Sequence, residues 1–109
     1  MKTYIIDIDG TICTQNHFKN NIRDYEQAAP LSDRIEKINK LFDEGNEITY
    51  WTARGSVTGL DWYETTKNQL KKWGCKYHYL SVGEKPHFDL YICDKSINSE
   101  NFFSDNTEL

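Results

Sequence analysis

Two carboxylates one residue apart, Asp7 and Asp9, close the apolar, β-branched run Lys-Thr-Tyr-Ile-Ile-Asp-Ile of residues 2–8 and lead into Gly10-Thr11. On an extended strand a spacing of two puts both side chains on one face. Two such charges repel unless a cation lies between them. A hard cation such as Mg²⁺ suits that place, because it takes few carboxylates and fills its shell with waters and phosphate oxygens. Gly10 lets the chain turn sharply afterwards. An Asp-Gly pair alone is also an ordinary surface turn, but a strand that ends in carboxylates fits one whose end opens into a site.

Three further positions could join this pair. Thr52 ends the run Ile48-Thr49-Tyr50-Trp51-Thr52 and precedes Ala53-Arg54-Gly55. Lys85 precedes Pro86, and Asp94 follows Leu90-Tyr91-Ile92-Cys93, with Asp89 just before. In isolation Thr52 is a β-former at a strand end, and Lys85 is a solvated turn residue. Thr49 lies short of the strand end where ligands collect.

Asp7-Ile8-Asp9-Gly10-Thr11 resembles the first motif of the haloacid dehalogenase superfamily, and residues 48–54 look like its second. Lys85-Pro86 and Asp94 are similar to its third and fourth. The four occur in family order over nearly the full chain. Trp-Thr-Ala-Arg-Gly and Lys-Pro-x-x-Asp-x-x-Ile-x-Asp resemble most the short, capless group related to capsule-polysaccharide biosynthesis phosphatases.

The resemblance implies a phosphatase with Asp7 as nucleophile, Asp9 as general acid and base, and Thr52 and Lys85 on the phosphoryl group. It implies Mg²⁺ held by Asp7, Asp94 and the Asp9 backbone carbonyl. Gly10, Thr11 and Arg54 are the expected substrate contacts. The chain departs from the family pattern at Cys93, where Asp or Gly is usual, and at Asn98, where an acid is common. Asn98 can still hydrogen-bond a metal-bound water.

The elements that must position these residues follow from periodicity. Residues 2–8 read as a strand buried on both faces. Residues 11–30 read as an ordered, Asn-rich loop, with Ile22, Tyr25 and Ala28 on one face of a short turn. A helix follows, with Ser32 as N-cap, Ile35, Ile38, Leu41 and Phe42 as its apolar stripe and Gly45 as its stop. Residues 47–52 return to strand. Asp61 caps a second helix in which Trp62, Thr66, Leu70 and Trp73 share a face until Gly74. Residues 77–80 and 89–93 read as strands, and 96–103 as a last short helix. This alternation predicts one Rossmann-like, three-layer α/β/α domain over residues 1–109, with a mainly parallel sheet, no separate cap and ligands at the strands' carboxyl ends.

At 109 residues the chain can bury one modest core, and 14% aromatic residues argue against disorder. A net charge of −4 disfavours a broad nucleic-acid surface, which needs clustered Lys and Arg. Cys13, Cys75 and Cys93 are odd in number and lack Cys-x-x-Cys spacing, so neither a disulfide framework nor a zinc site is indicated. No stretch approaches the ~20 apolar residues of a membrane span. A cytoplasmic protein with reduced thiols is expected.

The expected reaction is hydrolysis of a small phosphorylated metabolite, such as a sugar phosphate, through an aspartyl-phosphate. A phosphate-binding protein without turnover and a polynucleotide-end phosphatase are the competing readings. Residues 14–30 and 55–59 are the available substrate walls, with His17, Tyr25, Trp51 and His87 as further candidate contacts. A homo-oligomer could complete so open a site.

Overall fold

Three short parallel strands form the sheet in this computed structural model, which describes residues 1–86 and 88–104. They are β1 (Thr3–Ile6), β4 (Glu47–Thr52) and β5 (Tyr79–Val82), in the order β1-β4-β5. Between β1 and β4 lie a small hairpin, β2 (Phe18–Lys19) with β3 (Ile22–Arg23), a 3-10 turn (Tyr25–Gln27) and the helix α1 (Ser32–Asp43). Helix α2 (Tyr63–Lys72) joins β4 to β5, and α3 (Ser99–Phe102) follows β5. The result is a single α/β domain with a parallel sheet flanked by helices, as the alternation of elements predicted.

β4 is the central strand and shows why the sheet forms. Its side chains alternate, with Ile48, Tyr50 and Thr52 buried and Glu47, Thr49 and Trp51 half-exposed. Parallel pairing sets Ile6 opposite Tyr50, and Thr52 opposite Val82, so all three carboxyl ends open on one side. Ile6, Ile8, Ile35, Ile38, Ile48 and Leu70 lie in the core with Tyr50 and Phe102. The α1 stripe of Ile35, Ile38 and Leu41 is buried as its spacing demands.

Helix ends obey local chemistry, with two shifts. Gly45 and Gly74 stop α1 and α2 at positive φ, where the following N–H groups turn back to Leu41 and Leu70 carbonyls. Asp61, expected as the cap of α2, lies one residue ahead of it: Trp62 occupies the N-cap with no side-chain bond, and Asp61 Oδ1 accepts the Tyr63 N–H at 3.0 Å. Ser32, expected as the N-cap of α1, is instead its first residue, and Leu31 occupies the cap with no side-chain bond. Leu31 contributes its carbonyl, which accepts from Arg34 and Ile35.

Residues 11–30 contain more order than a loop. Asn20 and Asn21 both sit at positive φ, the signature of a two-residue hairpin turn whose twist matches its strands. This hairpin and the 3-10 turn stand over the carboxyl end of the sheet, where Asp9, His17, Arg23 and Tyr25 line a shallow cleft.

Two expectations fail. β1 is not buried on both faces, since Ile5 is 64% exposed while Ile6 is 8% exposed. Residues 89–93 are not a strand. They run as irregular chain with Leu90 and Ile92 exposed at 75% and 87%. An apolar run becomes a strand only when a neighbour supplies its ladder bonds, and among the described residues β1 pairs with β4 alone.

Candidate active site

The turn after β1 separates the two carboxylates that the sequence placed together. β1 ends at Ile6, and Gly10 at φ +76° folds the chain back. Thr11 and Ile12 N–H groups donate to the Ile8 carbonyl, and Gly10 N–H donates to the Cys13 carbonyl at 2.9 Å. Ile8 and Ile12 are fully buried and anchor this turn. Asp7 and Asp9 then meet different partners.

Asp7 remains the open carboxylate, with its side chain 39% exposed. Lys85 Nζ, from the turn after β5, lies 3.2 Å from Asp7 Oδ1. Lys85 is itself only 15% exposed and sits 5.6 Å above the Trp51 ring and 5.4 Å from that of Phe88, which hold its ammonium by cation–π attraction. Thr11 Oγ1 is 3.4 Å from Asp7 Oδ2. Nucleophile and cation candidates 78 residues apart in sequence therefore converge.

Asp9 is held from beneath. Arg54 Nε donates to both of its oxygens, at 3.0 and 3.3 Å, and Nη2 to Oδ1 at 2.9 Å. Thr52 is 1% exposed; its Oγ1 lies 3.5 Å from Asp9 Oδ2 and accepts the Arg54 backbone N–H at 3.2 Å. Gly83, at φ +86°, leaves room for this loop, since a Cβ there would stand 3.3 Å from the Arg54 carbonyl. Cys13 Sγ is 3.6 Å from Asp9 Oδ1. Burial, reinforced by the Asp9 charge, pushes the Cys13 thiol up to about 12, so it is no nucleophile near neutral pH. Burial and then Asp9 also raise the Tyr25 phenol above its ordinary value.

Arg54 does not keep the expected substrate contact free. Its side chain is fully buried, and its remaining donors go to Thr66 Oγ1 at 3.0 Å, Gln69 Oε1 and Cys13 Sγ at 3.9 Å. Every N–H of the guanidinium thus points at a protein acceptor. The sequence named Thr66 only as part of the packed face of the second helix, and it did not single out Gln69. Their signal was two polar side chains three apart, Thr66 on the packed face of α2 and Gln69 beside it, where buried polar groups demand partners.

The metal set that the resemblance implies has two carboxylate side chains, Asp7 and Asp94, and one backbone carbonyl, that of Asp9. Among the described residues no three carboxylate, His or Cys side chains come together. Asp94 is exposed and pairs locally with Cys93 Sγ at 3.7 Å. Both Asp9 oxygens face Arg54. Asp7 and Asp94 are hard oxygen donors of the kind Mg²⁺ takes. Asn98, expected near a metal-bound water, instead caps α3 by accepting the Glu100 N–H at 2.9 Å.

Of the other candidate contacts, His17 Nε2 lies 2.8 Å from Thr14 Oγ1 at the cleft, and Trp51 backs Lys85. Asp89 is exposed, and His87 lies outside the described residues. No helix of the described residues is long and apolar enough to cross a membrane.

No protein-family model matches the chain, and no curated protein does. It is similar to a crystal structure of a structural-genomics target from Vibrio cholerae, at 28% sequence identity and a TM-score of 0.78. That likeness covers 97% of this chain and 90% of the other, so the α/β arrangement described above is shared over nearly the whole of both.

Proposed function

We propose that this protein is a phosphomonoester hydrolase of the haloacid dehalogenase type, similar to the capless capsule-polysaccharide phosphatases, acting on a small phosphorylated metabolite such as a sugar phosphate. The observation that carries the reading is the exposed Asp7 beside Lys85 at the strands' carboxyl ends. A carboxylate beside a partly buried ammonium suits attack on a dianionic phosphoryl group, because the cation offsets the repulsion between two anions. Asp7 Oδ forms the bond to phosphorus as the ester P–O bond breaks, and the leaving oxygen takes a proton from Asp9. Water, losing a proton to Asp9, then cleaves the aspartyl-phosphate and releases inorganic phosphate and Asp7.

Mg²⁺ belongs to this reading with Asp7, the Asp9 carbonyl and Asp94 as ligands. The ion would offset charge on the phosphoryl oxygens, and the steps above are those of the chain's own residues. The same observation favours a second reading, a phosphate-binding protein without turnover. The polynucleotide-end phosphatase has only the motif likeness behind it.

A panel of phosphate esters with Mg²⁺, including para-nitrophenyl phosphate, a sugar phosphate and a 3′-phosphorylated oligonucleotide, tests all three. The expected result is turnover of the small esters that disappears in Asp7→Asn and falls by about 10²–10⁴-fold in Asp9→Asn, the usual worth of a general acid and base. Phosphate binding with no hydrolysis of any ester sinks the enzyme reading.

A further inference from the structure

We propose that Arg54 is a positioning residue for Asp9 rather than a substrate contact, and that it ties Asp9 to the segment that walls the cleft. For the rate effects below, the inference rests on the phosphohydrolase reading. Its core is independent of that reading: one buried guanidinium fixes the rotamer of one carboxylate.

The geometry points this way on three counts. A guanidinium has five N–H groups in a rigid fork. Two face Asp9, one each goes to Thr66 and Gln69, and the last points at Cys13 Sγ. None remains to bind a substrate. The fork itself is locked, since its side chain is fully buried and α2 holds Nη1 on two sides.

The third count is the link to the wall. Tyr25 lays its ring against the guanidinium, 4.8 Å from Cζ, and packs edge-on against Trp62. Gln69, which accepts from Arg54, donates through Nε2 to the Tyr25 carbonyl at 2.7 Å. The 3-10 turn is thereby fastened to the group that orients Asp9, and both Asp9 and Tyr25 line the cleft. An unpaired Asp9 would sample several rotamers, and loss of alignment at a proton-transfer group costs rate without weakening ground-state binding.

Wild type, Arg54→Gln, Arg54→Lys and Gln69→Leu are compared on phenyl phosphate and para-nitrophenyl phosphate. A positioning role predicts that Arg54→Gln lowers kcat about 10–100-fold with KM changed less than about 3-fold, a part of what a whole acid–base group is worth. The loss is larger for phenyl phosphate, whose poorer leaving group needs the proton more. Gln69→Leu shows the same pattern weakly, and Arg54→Lys recovers part of the rate. A rise in KM at unchanged kcat, or equal losses on both esters, overturns the proposal.

Urea unfolding of Asp9→Asn, Arg54→Gln and the double variant supplies a readout that needs no turnover. If Arg54 acts on Asp9, the double variant is no less stable than the weaker single one. Additive losses overturn the proposal. Should wild type hydrolyse no ester, the phosphohydrolase reading fails alone, and this cycle decides the role of Arg54.

Discussion

Thr66→Val is the sharpest test of the buried polar network. Thr66 has no exposed surface, and its Oγ1 accepts from Arg54 Nη1 at 3.0 Å. Valine has the same shape but a methyl in place of the hydroxyl, so the substitution leaves packing nearly intact and strands one N–H of a cation. Because the Arg54 side chain is fully buried, water cannot take over the bond. Losing a hydrogen bond to a charged group costs about 1.5–3 kcal/mol. Domains of this size have a total stability of about 0.05–0.15 kcal/mol per residue, roughly 5–16 kcal/mol here. With a urea slope of about 1–3 kcal/mol/M, the unfolding midpoint falls by on the order of 1 M at unchanged slope. Thr66→Ser supplies the internal control: it keeps the hydroxyl and deletes a buried methyl, at about 1 kcal/mol. The expected order of stability is wild type, then Ser, then Val. A valine variant at least as stable as the serine one would refute the claim that Thr66 is there for its hydroxyl.

Two further outcomes follow from the local geometry. Gly55→Ala should lower the melting temperature by several degrees and cost more than about 1 kcal/mol, the least that strained left-handed backbone exacts. Gly55 sits at φ +84°, and an added Cβ would stand 2.1 Å from the Leu60 carbonyl oxygen. A neutral result in thermal unfolding would mean that this loop has another accessible conformation. Alkali should also destabilise the fold. Burial pushes the Cys13 thiol from 9.0 to about 12 and the Cys75 thiol to about 11. Below about pH 9 both thiols keep their protons folded or unfolded, and their contribution is fully present. Above it the unfolded chain releases protons that the folded chain retains, so stability falls as pH rises toward the folded values. The urea midpoint should therefore drop between pH 9 and 11, and drop less in Cys13→Ala; equal slopes would refute this.

Several features could be read from local sequence because local physics decides them. The α1 stripe of Ile35, Ile38 and Leu41 has one way to be buried, and Gly45 and Gly74 are where a helix can turn into left-handed backbone at least cost. The alternation of β4 is likewise a property of six consecutive residues. Parallel pairing then brings the strands' carboxyl ends to one side, but the meeting of Asp7 with Lys85 there was implied only by the family resemblance, since Lys85 in isolation reads as a solvated turn residue.

What tertiary structure decided is which groups pair. The two-residue spacing of Asp7 and Asp9 suggested one shared cation, yet the turn through Gly10 sends them to different partners, Lys85 and Arg54. No periodicity could assign Arg54 inward, because an arginine is buried only where enough acceptors surround it. Those acceptors come from the β1 turn and from α2. The run 89–93 makes the converse point: its apolar residues promised a strand, but ladder bonds come from a neighbour, and among the described residues β1 pairs with β4 alone. Residue types and their order thus determined the elements and the candidates for chemistry. Only the fold determined the contacts, because burial and hydrogen-bond satisfaction are settled by what comes from elsewhere in the chain.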